Sequence, residues 1–222
     1  RKGEILGFAG LMGSGRTELA LGIVGKDPIS SGKIYVKGKE VKISNPADAV
    51  KHGIGYLSED RKRFGLLLIQ DITFNTIMAS IPKNVNKLGF FKKGPAAEIA
   101  RNFISQLRIR TPSEKQFVKN LSGGNQQKVV IAKWLARDCD ILIFDEPTRG
   151  IDVGTKAEVH RLVNQAASEG KAVLMISSEL PEVLGMADRI IVMREGHQVA
   201  EFSRAEATQE KVIAAATTGV GA

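Results

Sequence analysis

Three groups of residues in this sequence could handle a polyphosphate and a hydrolytic water. Gly10-Leu11-Met12-Gly13-Ser14-Gly15-Arg16-Thr17 gathers three glycines, two hydroxyls and one cation in eight residues. Such a loop lets consecutive backbone N–H groups converge on phosphate oxygens, and a helix starting behind it adds about half a positive charge. Its last hydroxyl, Thr17, suits Mg²⁺. Far downstream, Ile141-Leu142-Ile143-Phe144 runs into Asp145 and Glu146. One carboxylate there can hold Mg²⁺ through water and the other can take a proton from an attacking water, a role whose removal typically costs about 10²- to 10⁴-fold in rate. Between them, Leu121-Ser122-Gly123-Gly124-Asn125-Gln126-Gln127-Lys128 opens a helical run. The Ser122 hydroxyl and the Gly123 and Gly124 N–H groups at that helix start suit an anion.

These groups need elements to carry them. Glu4 to Ala9 reads as a buried strand, and Glu18 to Val24 continues from the glycine loop as a helix, the strand–loop–helix context that a phosphate loop requires. Gly32 to Gly38 and Lys39 to Ser44 alternate around Gly38-Lys39 as an antiparallel hairpin. A short helix follows from Asn45-Pro46 to about Lys51, then a strand over Gly53 to Leu57. From Asp71 to Asn120 helix-forming stretches are broken by Pro82, Gly89, Gly94-Pro95 and Pro112. The spacing predicts helices over about Gly123–Arg137 and Val153–Ala167, strands over Lys171–Ile176 and Asp188–Arg194, and a turn at Glu195-Gly196 into a strand over His197–Phe202. A helix near Gln209 to Ala216 and a small-residue tail, Thr217 to Ala222, close the chain.

With 222 residues, 43% of them hydrophobic, the chain can bury one sizeable core. One cysteine, Cys139, excludes an internal disulfide framework and reads as inert packing in a reducing compartment. No apolar run approaches the roughly 20 residues that cross a bilayer, so a membrane role would act through a partner. The sequence starts directly before the first strand without an initiator methionine, as a fragment of a longer polypeptide would. Net charge is +8, and Arg61-Lys62-Arg63 and Lys92-Lys93 are the densest basic runs. They fit a solvated face first, a docked protein or headgroups second and nucleic acid last, since neither is interleaved with the aromatics that stack on bases. His52, His160 and His197 lack metal-ligand spacing, Trp134 reads as packing, and Asn86-Lys87 continues as Leu88-Gly89 rather than as a guanine-binding motif.

Taken together, the three motifs in this order resemble the ATP-binding-cassette ATPases, over essentially the whole chain. The Gly-Leu-Met-Gly-Ser-Gly-Arg-Thr-Glu loop, Ser58-Glu59-Asp60-Arg61-Lys62-Arg63, Leu-Ser-Gly-Gly-Asn-Gln-Gln-Lys and Glu146-Pro-Thr-Arg-Gly-Ile-Asp152 are most similar to the second nucleotide-binding domain of fused bacterial monosaccharide-importer ATPases. The resemblance implies an α/β fold: a P-loop NTPase core with a mixed sheet, a small antiparallel β-subdomain (core and β-subdomain over residues 1–70 and 121–222) and an inserted helical subdomain over about residues 71–120. It implies ATP and Mg²⁺ as ligands, and nucleotide contacts from Gly10, Gly13, Ser14, Gly15, Arg16, Thr17, Ser122, Gly123, Gly124, Gln126 and Asp152. Metal contacts would come from Thr17 and Asp145, and catalytic roles would fall to Glu146, Glu59 and Ser178. It also implies a second nucleotide-binding domain as partner, in the same longer chain or a homodimer, and permease subunits at the cytoplasmic face of the inner membrane. Direct contact with sugar or nucleic acid is not implied. Phe64 and the Arg61 to Arg63 run lie at the entrance to the helical segment, where the family docks its membrane partner.

Three positions depart from the family pattern. Arg16 stands where lysine is expected, and its planar fork binds phosphate in a different geometry. Glu59 replaces a glutamine and cannot donate as an amide does. Ser178 replaces a histidine. All three belong to the domain's own ATP site, whereas the signature from Ser122 is intact, so the expected motor is asymmetric. The rival reading is a soluble cassette ATPase acting on ribosomes or nucleic acid.

Overall fold

Apolar runs that do not alternate, such as Ile5–Ala9 (β1) and Ile141–Asp145 (β5), are the pattern of strands covered on both faces. In the computed structural model, which describes residues 1–86 and 91–219, they become central strands of a six-stranded sheet in the order β4-β5-β6-β1-β7-β8. Here β4 is Ile54–Leu57, β6 Ala172–Ile176, β7 Arg189–Arg194 and β8 His197–Ser203. β1 pairs in parallel with β6 and β7, β5 pairs in parallel with β6, and β7 and β8 form an antiparallel hairpin. The sheet is therefore mixed, as expected. A second hairpin, β2 (Ile34–Val36) with β3 (Lys39–Val41), is shorter than its alternating pattern suggested. Both hairpins turn on an X-Gly pair with φ positive at each residue, Lys37-Gly38 (53° and 75°) and Glu195-Gly196 (50° and 81°). Such primed turns match the twist of the strands that they join.

The chain divides into two compact units. The first comprises Arg1–Tyr56, Asp140–Pro147 and Val163–Ala222. Its core joins the sheet (Phe8, Ile54, Ile143, Ile176, Met193) to α1 (Arg16–Ile23), to Ala49 of α2 (Pro46–Lys51) and to Val36 of the hairpin. Caps define the short helices: Asn45 Oδ1 accepts the Asp48 N–H at 3.1 Å before Pro46, and Thr208 Oγ1 accepts from Lys211 at the start of α8 (Gln209–Thr218).

The second unit comprises Leu57–Cys139 and Thr148–Leu162. After a π-helical turn at Arg61–Gly65 come α3 (Ile72–Ile77), a 3₁₀ turn over Met78–Lys83, α4 (Lys93–Gln106) and α5 (Gly123–Arg137). Ile72, Ile77, Ala96, Ala100, Val118, Val129 and Val130 are its core, none more than 0% exposed. Buried Asn75 ties the preceding loop to α3, accepting the Leu67 N–H at 2.8 Å and donating to the Leu67 carbonyl at 2.9 Å. α6 is Val153–Ser168 and α7 Leu180–Met186. The expected break at Gly89, the Lys87-Leu88-Gly89 part of the guanine-motif comparison and the tail beyond Gly219 lie outside the described residues. Among those described, no helix is long and apolar enough to cross a membrane.

Candidate active site

The expected site residues fall into two groups, one in each unit. In the first unit, β1 delivers the chain into the Gly10–Thr17 loop and α1 starts at Arg16. Gly10 has φ 154°, and a Cβ there would lie 2.3 Å from the Met193 carbonyl oxygen, so only glycine fits where the loop leaves the sheet. Gly13 and Gly15 also have positive φ (76° and 95°), which turns the loop back on the helix start. Ser14 Oγ is buried with no hydrogen-bond partner among the described residues. Arg16 is 8% exposed, and its Nη1 donates to the Ser177 carbonyl at 2.8 Å. Burial lowers its pKa, against the pull of Glu146 and Asp145.

β5 places Asp145 beside this loop. Thr17 Oγ1 donates to Asp145 Oδ1 at 3.3 Å and the Tyr56 hydroxyl to Oδ2 at 2.8 Å. Asp145 is fully buried, and burial raises its pKa although both hydrogen bonds and Arg16 favour the ionised form. The neighbouring Glu146 takes φ 50°, rare for a residue with a Cβ, while its N–H donates to the Ile176 carbonyl at 2.9 Å. Ser178 Oγ donates to Glu146 Oε2 at 3.1 Å. Burial raises the Glu146 pKa more than Ser178 and Arg16 lower it. The structure thus brings Arg16, Thr17, Asp145, Glu146 and Ser178 together. Tyr56 was not singled out from the sequence. Its signal is the order of strands, since it lies on β4, the neighbour of β5.

In the second unit, Ser122 caps α5. Its Oγ accepts from the Asn125 side-chain amide at 2.9 Å and the Asn125 N–H at 3.4 Å, and Asn125 Oδ1 in turn accepts the Arg110 N–H at 2.9 Å. Asp152 caps α6, its two oxygens accepting the Thr155 N–H at 3.0 Å and hydroxyl at 2.7 Å, which lowers its pKa. Glu59 is ion-paired with Arg149.

Gln126, expected among the nucleotide contacts, is 5% exposed, and its amide donates to the Val118 carbonyl at 3.1 Å, so it braces the turn before the signature from inside the core. It begins an unbroken buried run of α5, Gln126 to Lys133. The basic run at 61–63 is not one solvated face either: Lys62 and Arg63 are exposed, but Arg61 is half-buried. Nearby Phe64, Leu67, Ile69 and Phe117 are each at least 45% exposed. No cluster of His, Cys, Asp or Glu able to hold a metal by itself occurs among the described residues.

Comparison with known proteins gives a consistent picture. The profile of the ABC transporter family matches residues 1–149. A putative ribose/galactose/methyl galactoside import ATP-binding protein of Burkholderia lata is 57% identical over 98% of this chain and 42% of its own length. A xylose import ATP-binding protein of Thermoanaerobacter pseudethanolicus is 52% identical over 99% and 43%, and a ribose import ATP-binding protein of Clostridium tetani is 52% identical over 96% and 42%. The chain thus spans about two-fifths of the length of these relatives. Among solved structures, an ATP-binding cassette of an ABC transporter in its ADP conformation superposes with a TM-score of 0.77 at 22% identity, covering 97% of this chain and 85% of that one. A cassette in a dimeric post-hydrolysis state bound to ADP and Pi superposes at 0.78, with 22% identity and coverage of 92% and 87%.

Proposed function

Since the chain belongs to the ABC transporter family, whose ATPase cassettes share this fold, we propose that it is the ATP-binding and ATP-hydrolysing motor domain of a bacterial monosaccharide importer. The observation that carries this reading is the cluster behind the glycine loop: the Thr17 hydroxyl 3.3 Å from buried Asp145, with Glu146 next in the chain. Gly10 to Thr17 binds the β- and γ-phosphates of ATP. The donor set fits Mg²⁺, which takes only one or two protein oxygens alongside phosphate. Thr17 Oγ1 and Asp145 would hold it there, where it would neutralise charge on the phosphates. Glu146 accepts a proton from the water that attacks the γ-phosphorus, and ADP leaves. The proton goes to Glu146 Oε1, because Oε2 already accepts from Ser178. Burial raises the basicity of this carboxylate and so favours that transfer.

The signature half completes a second site, on a partner nucleotide-binding domain, with Ser122 and the Gly123 and Gly124 N–H groups directed to its γ-phosphate and Asp152 at the shared edge. Arg16, Glu59 and Ser178 make this chain's own site the slower of the two. The chain is the carboxy-terminal domain of a longer two-domain polypeptide, and the exposed Phe64, Leu67, Ile69 and Phe117 dock the permease at the cytoplasmic face of the inner membrane. Nucleotide titration and phosphate release, measured on the complete polypeptide with Mg-ATP, test the reading. Tight ATP binding with slow turnover at this site is expected. Absence of ATP binding, or salt-dependent affinity for nucleic acid in its place, would overturn it.

A further inference from the structure

The run Arg61-Lys62-Arg63 splits in space because Asp60 caps it. Asp60 Oδ1 accepts the N–H groups of Lys62 at 3.2 Å and Arg63 at 3.1 Å, and this starts the π-helical turn at Arg61–Gly65. Lys62 and Arg63 face water, whereas Arg61 turns inward with its Nε buried and without a hydrogen-bond partner. Its Nη1 donates to the Arg149 carbonyl at 3.0 Å and its Nη2 to the Gly150 carbonyl at 3.4 Å. The same loop is gripped again by Glu59, paired with the Arg149 side chain. At the other end of the turn, Lys133 of α5 donates to the Gly65 carbonyl at 2.8 Å.

The guanidinium also touches the signature. A Cβ on Gly123 would lie 2.7 Å from Arg61 Nη2 and 3.3 Å from the Gly150 oxygen. A Cβ on Gly124 would lie 2.7 Å from Cγ2 of Thr155, the residue that Asp152 holds. These glycines therefore do more than bare their N–H groups: they make room for the loop and its clamp. A guanidinium is suited to this place because its rigid fork reaches two adjacent carbonyls at once, which a lysine point charge does not.

We infer that Arg61 is a positioning residue of the signature half-site, holding the Thr148–Asp152 loop against the start of α5 and so fixing where Gly123 and Gly124 present their N–H groups. Its link to turnover rests on the reading of this half-site as an ATP site; its link to the loop does not. The test uses the complete polypeptide with Arg61→Ala, Arg61→Lys and, as a control, Lys62→Ala. Amide hydrogen exchange is read without nucleotide, and steady-state ATP turnover with it. Arg61→Ala should speed exchange over residues 149–152 and 123–127 by about tenfold or more, a local opening, with Arg61→Lys between it and wild type and Lys62→Ala unchanged. Turnover at saturating ATP should fall about tenfold in Arg61→Ala with KM within about twofold, since misplacement by about 1 Å can cost 10²-fold without loss of binding. Gly123→Ala should slow turnover more in the wild-type background than in Arg61→Ala, where its methyl group no longer meets the guanidinium. Wild-type exchange at 149–152 in Arg61→Ala overturns the inference, as does a fall in turnover carried by KM or matched by Lys62→Ala. If the wild-type protein neither binds nor hydrolyses ATP, the functional reading fails, and the exchange measurement still decides whether Arg61 holds the loop.

Discussion

The two groups of site residues are held by different physics. Around the phosphate loop, ionisable side chains are buried against one another: Asp145 under Thr17 and Tyr56, Glu146 under Ser178, and Arg16 against the Ser177 carbonyl. Around the signature, position comes from caps and backbone carbonyls, with Ser122 on Asn125, Asp152 on Thr155 and Arg61 on the carbonyls of residues 149 and 150. The first arrangement can take up and release a proton. The second offers N–H groups in fixed places, and its carboxylate, Asp152, is held in the ionised form by Thr155. A proton acceptor tolerates a shifted pKa, whereas a lattice of donors tolerates no shift in position.

The sharpest way to break this contrast is to disable one half at a time in the complete polypeptide and follow phosphate release. If Ser122 serves the partner's phosphate as proposed, Ser122→Ala removes a hydroxyl donor and turnover is expected to fall about 10²-fold, as for loss of one transition-state donor. Glu146→Gln should lower total turnover by only about threefold if the site it serves is the slow one, well short of the usual loss of a general base. The opposite ranking would make this chain's own site the principal one. Ser122→Ala also removes a helix cap worth about 1 kcal/mol, so a melting curve should accompany it.

Next in size is Tyr56→Phe, which leaves the Oδ2 atom of buried Asp145 without its donor. About 1–3 kcal/mol of stability should be lost at neutral pH, read from denaturant midpoints. The loss should shrink as pH falls, because protonated Asp145 no longer needs that donor.

A smaller effect tests the signature half. Lys133 is buried, and burial lowers its pKa from 10.5 to about 8. Between those values the unfolded chain binds more protons than the folded one, so stability should rise as pH increases through about 8. Lys133→Met should flatten that rise in pH-dependent melting.

A last effect lies where β1 and β7 begin, where the Arg189 guanidinium, at 2.7 Å, holds the Glu4 carboxyl at about 2 instead of 4.5. Glu4 therefore stabilises the fold above about pH 4.5, and this contribution fades as pH falls toward 2. Glu4→Gln should therefore lower stability at neutral pH, with the gap to wild type closing as pH falls from about 4.5 toward 2 and Glu4 itself becomes neutral, read from melting curves across that range.

Local features of both halves were legible in the sequence because they are coded locally. The α5 boundaries, Gly123 to Arg137, follow from Ser122 as cap and the helix-forming run behind the signature, and the Glu195-Gly196 turn from two adjacent runs of apolar residues. What was not legible depends on partners distant in sequence. Tyr56 meets Asp145 across 89 residues, and Arg61 meets the carbonyls of Arg149 and Gly150 across 88 and 89. From spacing alone Arg61 is one member of a basic run, and only the Asp60-capped turn separates it from Lys62 and Arg63. The partner of Gln126 was not legible either: the motif marks the residue, but not that its amide donates to the Val118 carbonyl inside the core.

Glu146 sits at φ 50°, a conformation that asparagine or glycine adopts at lower cost, and directly before Pro147, which narrows its backbone choices further. The proposed proton acceptor is therefore planted where the local chain would rather have another residue. Libraries screened only for heat resistance should drift toward Asn or Gly at this position and return better-folded, idle proteins. Screens that demand turnover should keep the glutamate and recover stability elsewhere.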